Sequence, residues 1–200
     1  MSSRISYVRD VRLGLSPGAV LARLGRAGAG AGGRWAGAAV EAVDLVNALA
    51  EPAIALTRMD VVAAEAPKVA LECAEFVSFD LCARLEGCAK CTLFLLTLGE
   101  ALDGAIGSLA GEPSRQLLAD AAGSEAAEAC ARWLQRSESA RARQEGCRAL
   151  PRFSPGYGDF GLENQRWFVE NLPGLGVSLT SGGMLVPGKS VTGVIGWKRS

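Results

Sequence analysis

Apolar residues recur at Ala39, Val40, Val43, Val46 and Leu49, while Glu41, Asp44 and Asn47 fall on another face. That period of three to four residues predicts an amphipathic helix over 36–50. Upstream, Ser16 stands as an N-cap before Pro17 at the first helical position, which predicts a short helix over 16–25. Pro52 opens a new segment, and 54–62, β-branched at its ends, predicts a strand. A helix over 78–85 runs into a turn at Glu86–Gly87. The stretch 91–99 is a continuous apolar run closed by glycine, the pattern of a strand covered on both faces. Helices follow over 101–109 and 113–134, the second breaking or bending at Gly123–Ser124, where Ser124 is placed to cap a new helix. From Gly146 onward glycine and proline become frequent. The segments 177–180 and 190–197 predict two strands of one sheet, joined by the loop 181–189. The sum is an α+β domain, helices packed on a mainly antiparallel twisted sheet. The expected organisation is a single domain over 1–200: a helical arm and Gly-rich connector (1–35), a mostly helical part with a buried strand (36–145), and a loop with C-terminal strands (146–200).

Composition narrows the function classes. Apolar residues make up 49% of 200 positions and charged residues 21%, as in ordinary soluble globular domains. Lys plus Arg equals Asp plus Glu at 21 each, so the basic excess usual in a nucleic-acid binder is missing. Arg4, Arg9, Asp10 and Arg12 interrupt the N-terminus, so no signal peptide is expected. No apolar stretch approaches the roughly 20 residues that cross a bilayer. The expectation is a cytoplasmic protein with neither nucleic acid nor membrane as partner. The chain has no histidine, which removes imidazole bases, Ser–His triads and His-ligated metals.

Four constellations carry possible chemistry. Gly28, Gly30 and Gly33 spell G-x-G-x-x-G, but no strand precedes them and no acidic residue at ribose spacing follows. Cys82, Cys88 and Cys91 give C-x5-C-x2-C without a fourth local ligand, which favours core packing over a metal site. Lys189 follows Pro187–Gly188 outside any G-x-x-x-x-G-K pattern, so it reads as a solvated turn lysine or a partner contact. The fourth is 152–159, RFSPGYGD. Arg152 offers a planar fork for a carboxylate or phosphate. Ser154, Pro155, Gly156 and Gly158 make a turn in which backbone amides approach a ligand closely. Phe153 and Tyr157 add aromatic surface, Tyr157 lying between two glycines. Local chemistry is equally that of a structural turn whose arginine pairs with Asp159 or Glu163. Likewise Glu128, four residues before Arg132, fits an exposed helical ion pair.

RFSPGYGD, followed by Leu179, Thr180, Pro187, Gly188, Ser190, Val191, Thr192 and Gly193 in order, resembles the C-terminal half of the activation domain of cobalamin-dependent methionine synthase, in its short, free-standing version. Looser blocks at Ala19, Ala50, Leu85 and Asp120 run in the same order. The resemblance implies that the chain binds S-adenosylmethionine and supports reductive methylation of cob(II)alamin. The cobalamin would be carried by a separate cobalamin-binding methionine synthase subunit, and a flavodoxin-like protein would donate the electron. It implies that Arg152 grips the ligand carboxylate, that Glu128 faces its ammonium group, that Tyr157 packs beside it, and that the 154–158 backbone reads the adenosine. The family's ligand-contacting tyrosine beyond the last strand has no counterpart up to Ser200. Its N-terminal aspartate has no clear one either, Asp10 being poorly placed, which implies a weaker site or one that the partner completes. Two alternatives stand beside this: a docking or assembly module for a corrinoid protein that binds no S-adenosylmethionine, and a reactivator of another corrinoid methyltransferase.

Overall fold

The computed structural model describes residues 4–9, 11–25 and 35–199. Gly28, Gly30, Gly33 and Asp10 lie outside them. The centre is a seven-stranded sheet in which every pairing is antiparallel. Its long strands are β2 (Ala53–Glu65), β5 (Cys88–Thr97) and β9 (Ser190–Arg199), side by side in that order. The outer edge of β2 is shared. Its first half pairs with β1 (Ser6–Arg9), and its second half pairs with β3 (Lys68–Leu71), which in turn pairs with β4 (Glu75–Val77). Beyond β9 lies the short β6 (Cys147–Ala149).

β5 explains the layering. Phe94, Leu96 and Leu98 face one core, and Cys91, Leu93 and Leu95 face the other. The first face is covered by α1 (Pro17–Arg23), α2 (Trp35–Leu49), α4 (Glu100–Ser108) and α5 (Pro113–Gln144), the second by α3 (Phe79–Leu85) and α6 (Gln165–Asn171). Burial on both sides is why this strand reads as an unbroken apolar run. Ser16 caps α1, its Oγ accepting from the Ala19 N–H at 3.2 Å, as its position before Pro17 predicts.

Three expectations are corrected. Helix α5 neither breaks at Gly123–Ser124 nor ends at Leu134; it runs unbroken for 32 residues to Gln144. A glycine costs a helix only about 1 kcal/mol relative to alanine. Here its bare Cα makes room, since a Cβ on Gly123 would lie 3.1 Å from Lys189 Cε. The Ser124 hydroxyl accepts from Lys189 Nζ (3.0 Å) instead of starting a helix. Second, 177–180 and 190–197 do not share a sheet. β7 (Ser178–Leu179) pairs with β8 (Leu185–Val186) as a separate ribbon, and β9 alone joins the main sheet. Third, Lys189 is no solvated turn lysine. Its side chain is 13% exposed and bonds Asp120 at 2.6 Å as well as Ser124, fastening the turn before β9 to α5.

Candidate functional site

The segment 152–160 leaves the sheet edge as a tight loop. Phe153 still bridges to Val194 of β9, exchanging both backbone hydrogen bonds (2.9 and 2.7 Å). The chain then turns: the Tyr157 N–H donates to Ser154 O (3.3 Å), and Gly156 and Phe160 close the loop (Gly156 N to Phe160 O, 2.7 Å). Gly156 sits at φ +94°, where a side chain would be strained and a Cβ would press on Leu162. On β9, Gly193 lets Ser154 and Phe94 approach to within 3 Å of where its Cβ would be.

Helix α3 holds this loop at both of its ends. At the N-terminus the Asp159 carboxylate accepts from Ser78 Oγ (2.5 Å), Phe79 N (2.6 Å) and Asp80 N (3.0 Å), while Asp80 accepts from Asp159 N (3.2 Å). At the C-terminus the Arg84 guanidinium lies over the Phe153 ring, 5.1 Å from its centroid. Asp159 is therefore committed to α3 and does not pair with Arg152. The hydrogen bond from Ser78, followed by the backbone amides, holds the Asp159 carboxyl below its ordinary value. A depressed carboxyl contributes stability that is present above its unfolded pKa and lost as pH falls through the folded one. The melting-temperature advantage of the wild type over Asp159→Asn should hold at neutral pH and shrink once pH drops below the usual carboxylate range. A difference that does not change with pH would contradict the anchor.

Arg152 turns the other way, toward α5. Its Nη2 lies 2.6 Å from both Glu128 oxygens, and its backbone N–H donates to Gln135 Oε1 (3.1 Å). Gln135 Nε2 in turn donates to Leu150 O (3.0 Å). Glu128 also has Arg132 at 3.7 Å, the helical pair foreseen, but Arg132 bonds more closely to Glu125 (2.7 Å). The pair joining Arg152 to Glu128 is half-buried and spans 24 positions.

An open groove of about 790 Å³ runs along this loop. Six of the eight residues singled out from the sequence line it: Glu128, Arg152, Phe153, Ser154, Pro155 and Tyr157. Gly156 and Gly158 do not; they shape the turn. The wall also includes Arg84, Gln135, Gln165 and Leu185, which the sequence did not flag, and Ser190, Val191 and Thr192, which it flagged only as part of the resemblance. Gln135 had a signal, lying seven positions after Glu128 and so on the same helix face. Arg84 and Gln165 had none.

The cysteines lie elsewhere. Cys82, Cys88 and Cys91 are buried in the core under α3, and burial pushes their thiols above the ordinary value, away from the thiolate that binds metal. Among the described residues no cluster of His, Cys, Asp and Glu is placed to hold a metal ion, and no helix is long and apolar enough to cross a membrane.

No protein-family model matches the chain, and no curated protein matches it in sequence. Among solved structures it is similar to the MetH reactivation domain bound to AdoHcy. The TM-score is 0.65 and the identity 13%, over 97% of this chain and 78% of that one. At that identity the likeness shows the fold: α+β, one domain, with a mainly antiparallel sheet.

Proposed function

We propose that the groove binds S-adenosylmethionine. In this reading the chain presents the ligand's methyl group to cobalamin carried by a separate methionine synthase subunit, with the electron supplied by a flavodoxin-like donor. The observation that carries the reading is the convergence of Glu128, Arg152, Phe153, Ser154, Pro155 and Tyr157 on one groove, in a fold shared with a domain that binds AdoHcy.

The residues fit the ligand's chemistry. An amino-acid end is a zwitterion and needs one anion and one cation. Glu128 and Arg152 supply them, and in the free protein they satisfy each other at 2.6 Å. Inserting the zwitterion exchanges one ion pair for two and leaves no half-buried charge alone, the outcome that charge burial demands. Gln135 holds the Arg152 backbone in place during that exchange. Tyr157, 67% exposed, stands at the groove as an aromatic wall. S-adenosylmethionine supplies an electrophilic methyl group when bound. The side chains have only to orient it and limit water, so a histidine-free chain suffices.

Calorimetry with S-adenosylmethionine tests the reading. Wild-type protein should bind, and Arg152→Ala should weaken binding by about 1.5–3 kcal/mol, the value of a charge-assisted hydrogen bond. Unchanged affinity in that variant would remove Arg152 from the site. Absence of binding by the wild type, with and without the cobalamin-carrying partner, would leave the docking module as the better description.

A further inference from the structure

A second open groove, of about 780 Å³, shares no residue with the one described above. It lies where β1, β2 and β5 meet the last turn of α5, and four elements send a cation to it. These are Arg4 just before β1, Arg58 of β2, Lys90 of β5 and Arg141 of α5. One carboxylate, Glu145, shares the lining. In a chain whose charges balance at 21 to 21, folding alone creates this local excess.

The bonds of these residues fix where three of the cations stand. Glu138, Arg141 and Glu145 follow one another on a single face of the helix end, at spacings of three and four. Arg58 is bound to Glu138 through Nε (2.9 Å) and Nη2 (2.6 Å), and Lys90 to Glu145 (2.6 Å). Arg141 therefore stands between two ion pairs. On β1, Ser6 lies opposite Leu56, and the same antiparallel register carried two residues further sets Arg4 across from Arg58.

These pairings leave strong donors unused. Arg58 keeps its Nη1. Arg141, its side chain 55% exposed, reaches Glu145 only at 3.9 Å, beyond hydrogen bonding. Arg4 is exposed and has no partner among the described residues. The next carboxylate, Asp60, lies across the strands from Lys90, not beside these two guanidiniums. A helix end favours a cation in its last turn, which accounts for Arg141 but not for the three that arrive from the sheet.

We propose that this groove binds a small soluble phosphate compound. Arg4, Arg141 and the free Nη1 of Arg58 grip its oxygens, and Lys90 adds a point charge. Guanidinium forks match phosphate oxygens in pairs, and two uncompensated cations suit a ligand of at least two negative charges.

The test titrates sodium pyrophosphate into the protein by calorimetry, at constant ionic strength so that general screening does not change. Wild type should bind it saturably, one per chain. Arg4→Ala and Arg141→Ala should each weaken binding about tenfold or more, the effect of losing a charge-assisted hydrogen bond. Both should melt as wild type does without ligand, since each truncates an exposed side chain. Arg166→Ala, exposed on α6 and outside both grooves, removes the same charge and should bind as wild type does. No saturable binding, an equal loss in Arg166→Ala, or unchanged affinity in either groove variant would overturn the assignment. So would sedimentation with phosphatidic acid vesicles by a protein that ignores pyrophosphate, because the phosphate would then belong to a membrane surface.

Discussion

Glu138→Ala should cost about 3–5 kcal/mol of folding stability, the usual loss when one member of a buried ion pair is removed. Glu138 lies in the second half of α5, its side chain 2% exposed. Arg58 of β2 grips both of its oxygens, Nε at 2.9 Å and Nη2 at 2.6 Å. Thr92 of β5 donates to the same carboxylate at 2.6 Å, and Trp197 Nε1 of β9 donates to Thr92 Oγ1 at 3.0 Å. The Arg58 guanidinium lies 5.9 Å from the Trp197 ring centroid. One carboxylate thus links the three long strands to the helix that carries Glu128 and Gln135. Truncating it leaves a partly buried guanidinium and a fully buried hydroxyl without their acceptor. Urea denaturation at neutral pH measures the loss. The double variant Arg58→Met/Glu138→Leu should recover most of it, because an apolar pair of similar volume leaves no buried charge unpaired. A single-variant loss below about 1 kcal/mol would show that the network is not coupled to folding.

Phe160→Ala should cost a similar amount, about 3–5 kcal/mol, as large-to-small changes at fully buried aromatics do. Phe160 is 0% exposed and contacts Phe76 edge-on and Phe153 face-on. Such aromatic pairs contribute about 0.5–1.5 kcal/mol each beyond their buried area. The consequence reaches the groove, because the Phe160 ring supports the Phe153 ring that carries Arg84. Phe160→Leu refills much of the volume and should restore more stability than stacking geometry. Chemical denaturation reads the first effect. Ligand affinity measured well below the unfolding midpoint reads the second, and Phe160→Leu should remain weaker than wild type there. Full recovery of affinity in Phe160→Leu would show that the ring contacts contribute nothing to the groove.

Elements held by local chemistry were legible before the fold was known. The capping Ser16, the periodic face of α2, and the apolar run of β5 all follow from neighbours within a few positions. Features decided by distant residues were not. The charged stretch after Leu134 gave no sign that α5 continues, because Glu138 is made tolerable inside by Arg58, 80 positions away. Gly123 resembled a break because its use, room for Lys189, comes from the far end of the chain. β3 and β4 have four and three residues and exist only as additions to an edge of β2. The candidate site shows the same division. Arg152 and its loop stood out by composition and Glu128 through the resemblance, whereas its pairing with Arg152 and the places of Arg84 and Gln165 in the groove wall arise from packing.

In the proposed reading an adenosyl ligand sits along 152–157 and against Glu128. Backbone amide NMR of the 20.7 kDa chain during titration with S-adenosylhomocysteine tests it most directly. Saturable shifts should concentrate at Arg152, Phe153, Ser154 and Tyr157, and on α5 around Glu128 and Gln135. Shifts that instead cluster at the separate groove lined by Arg4, Tyr7, Lys90 and Arg141, or that never saturate, would contradict it.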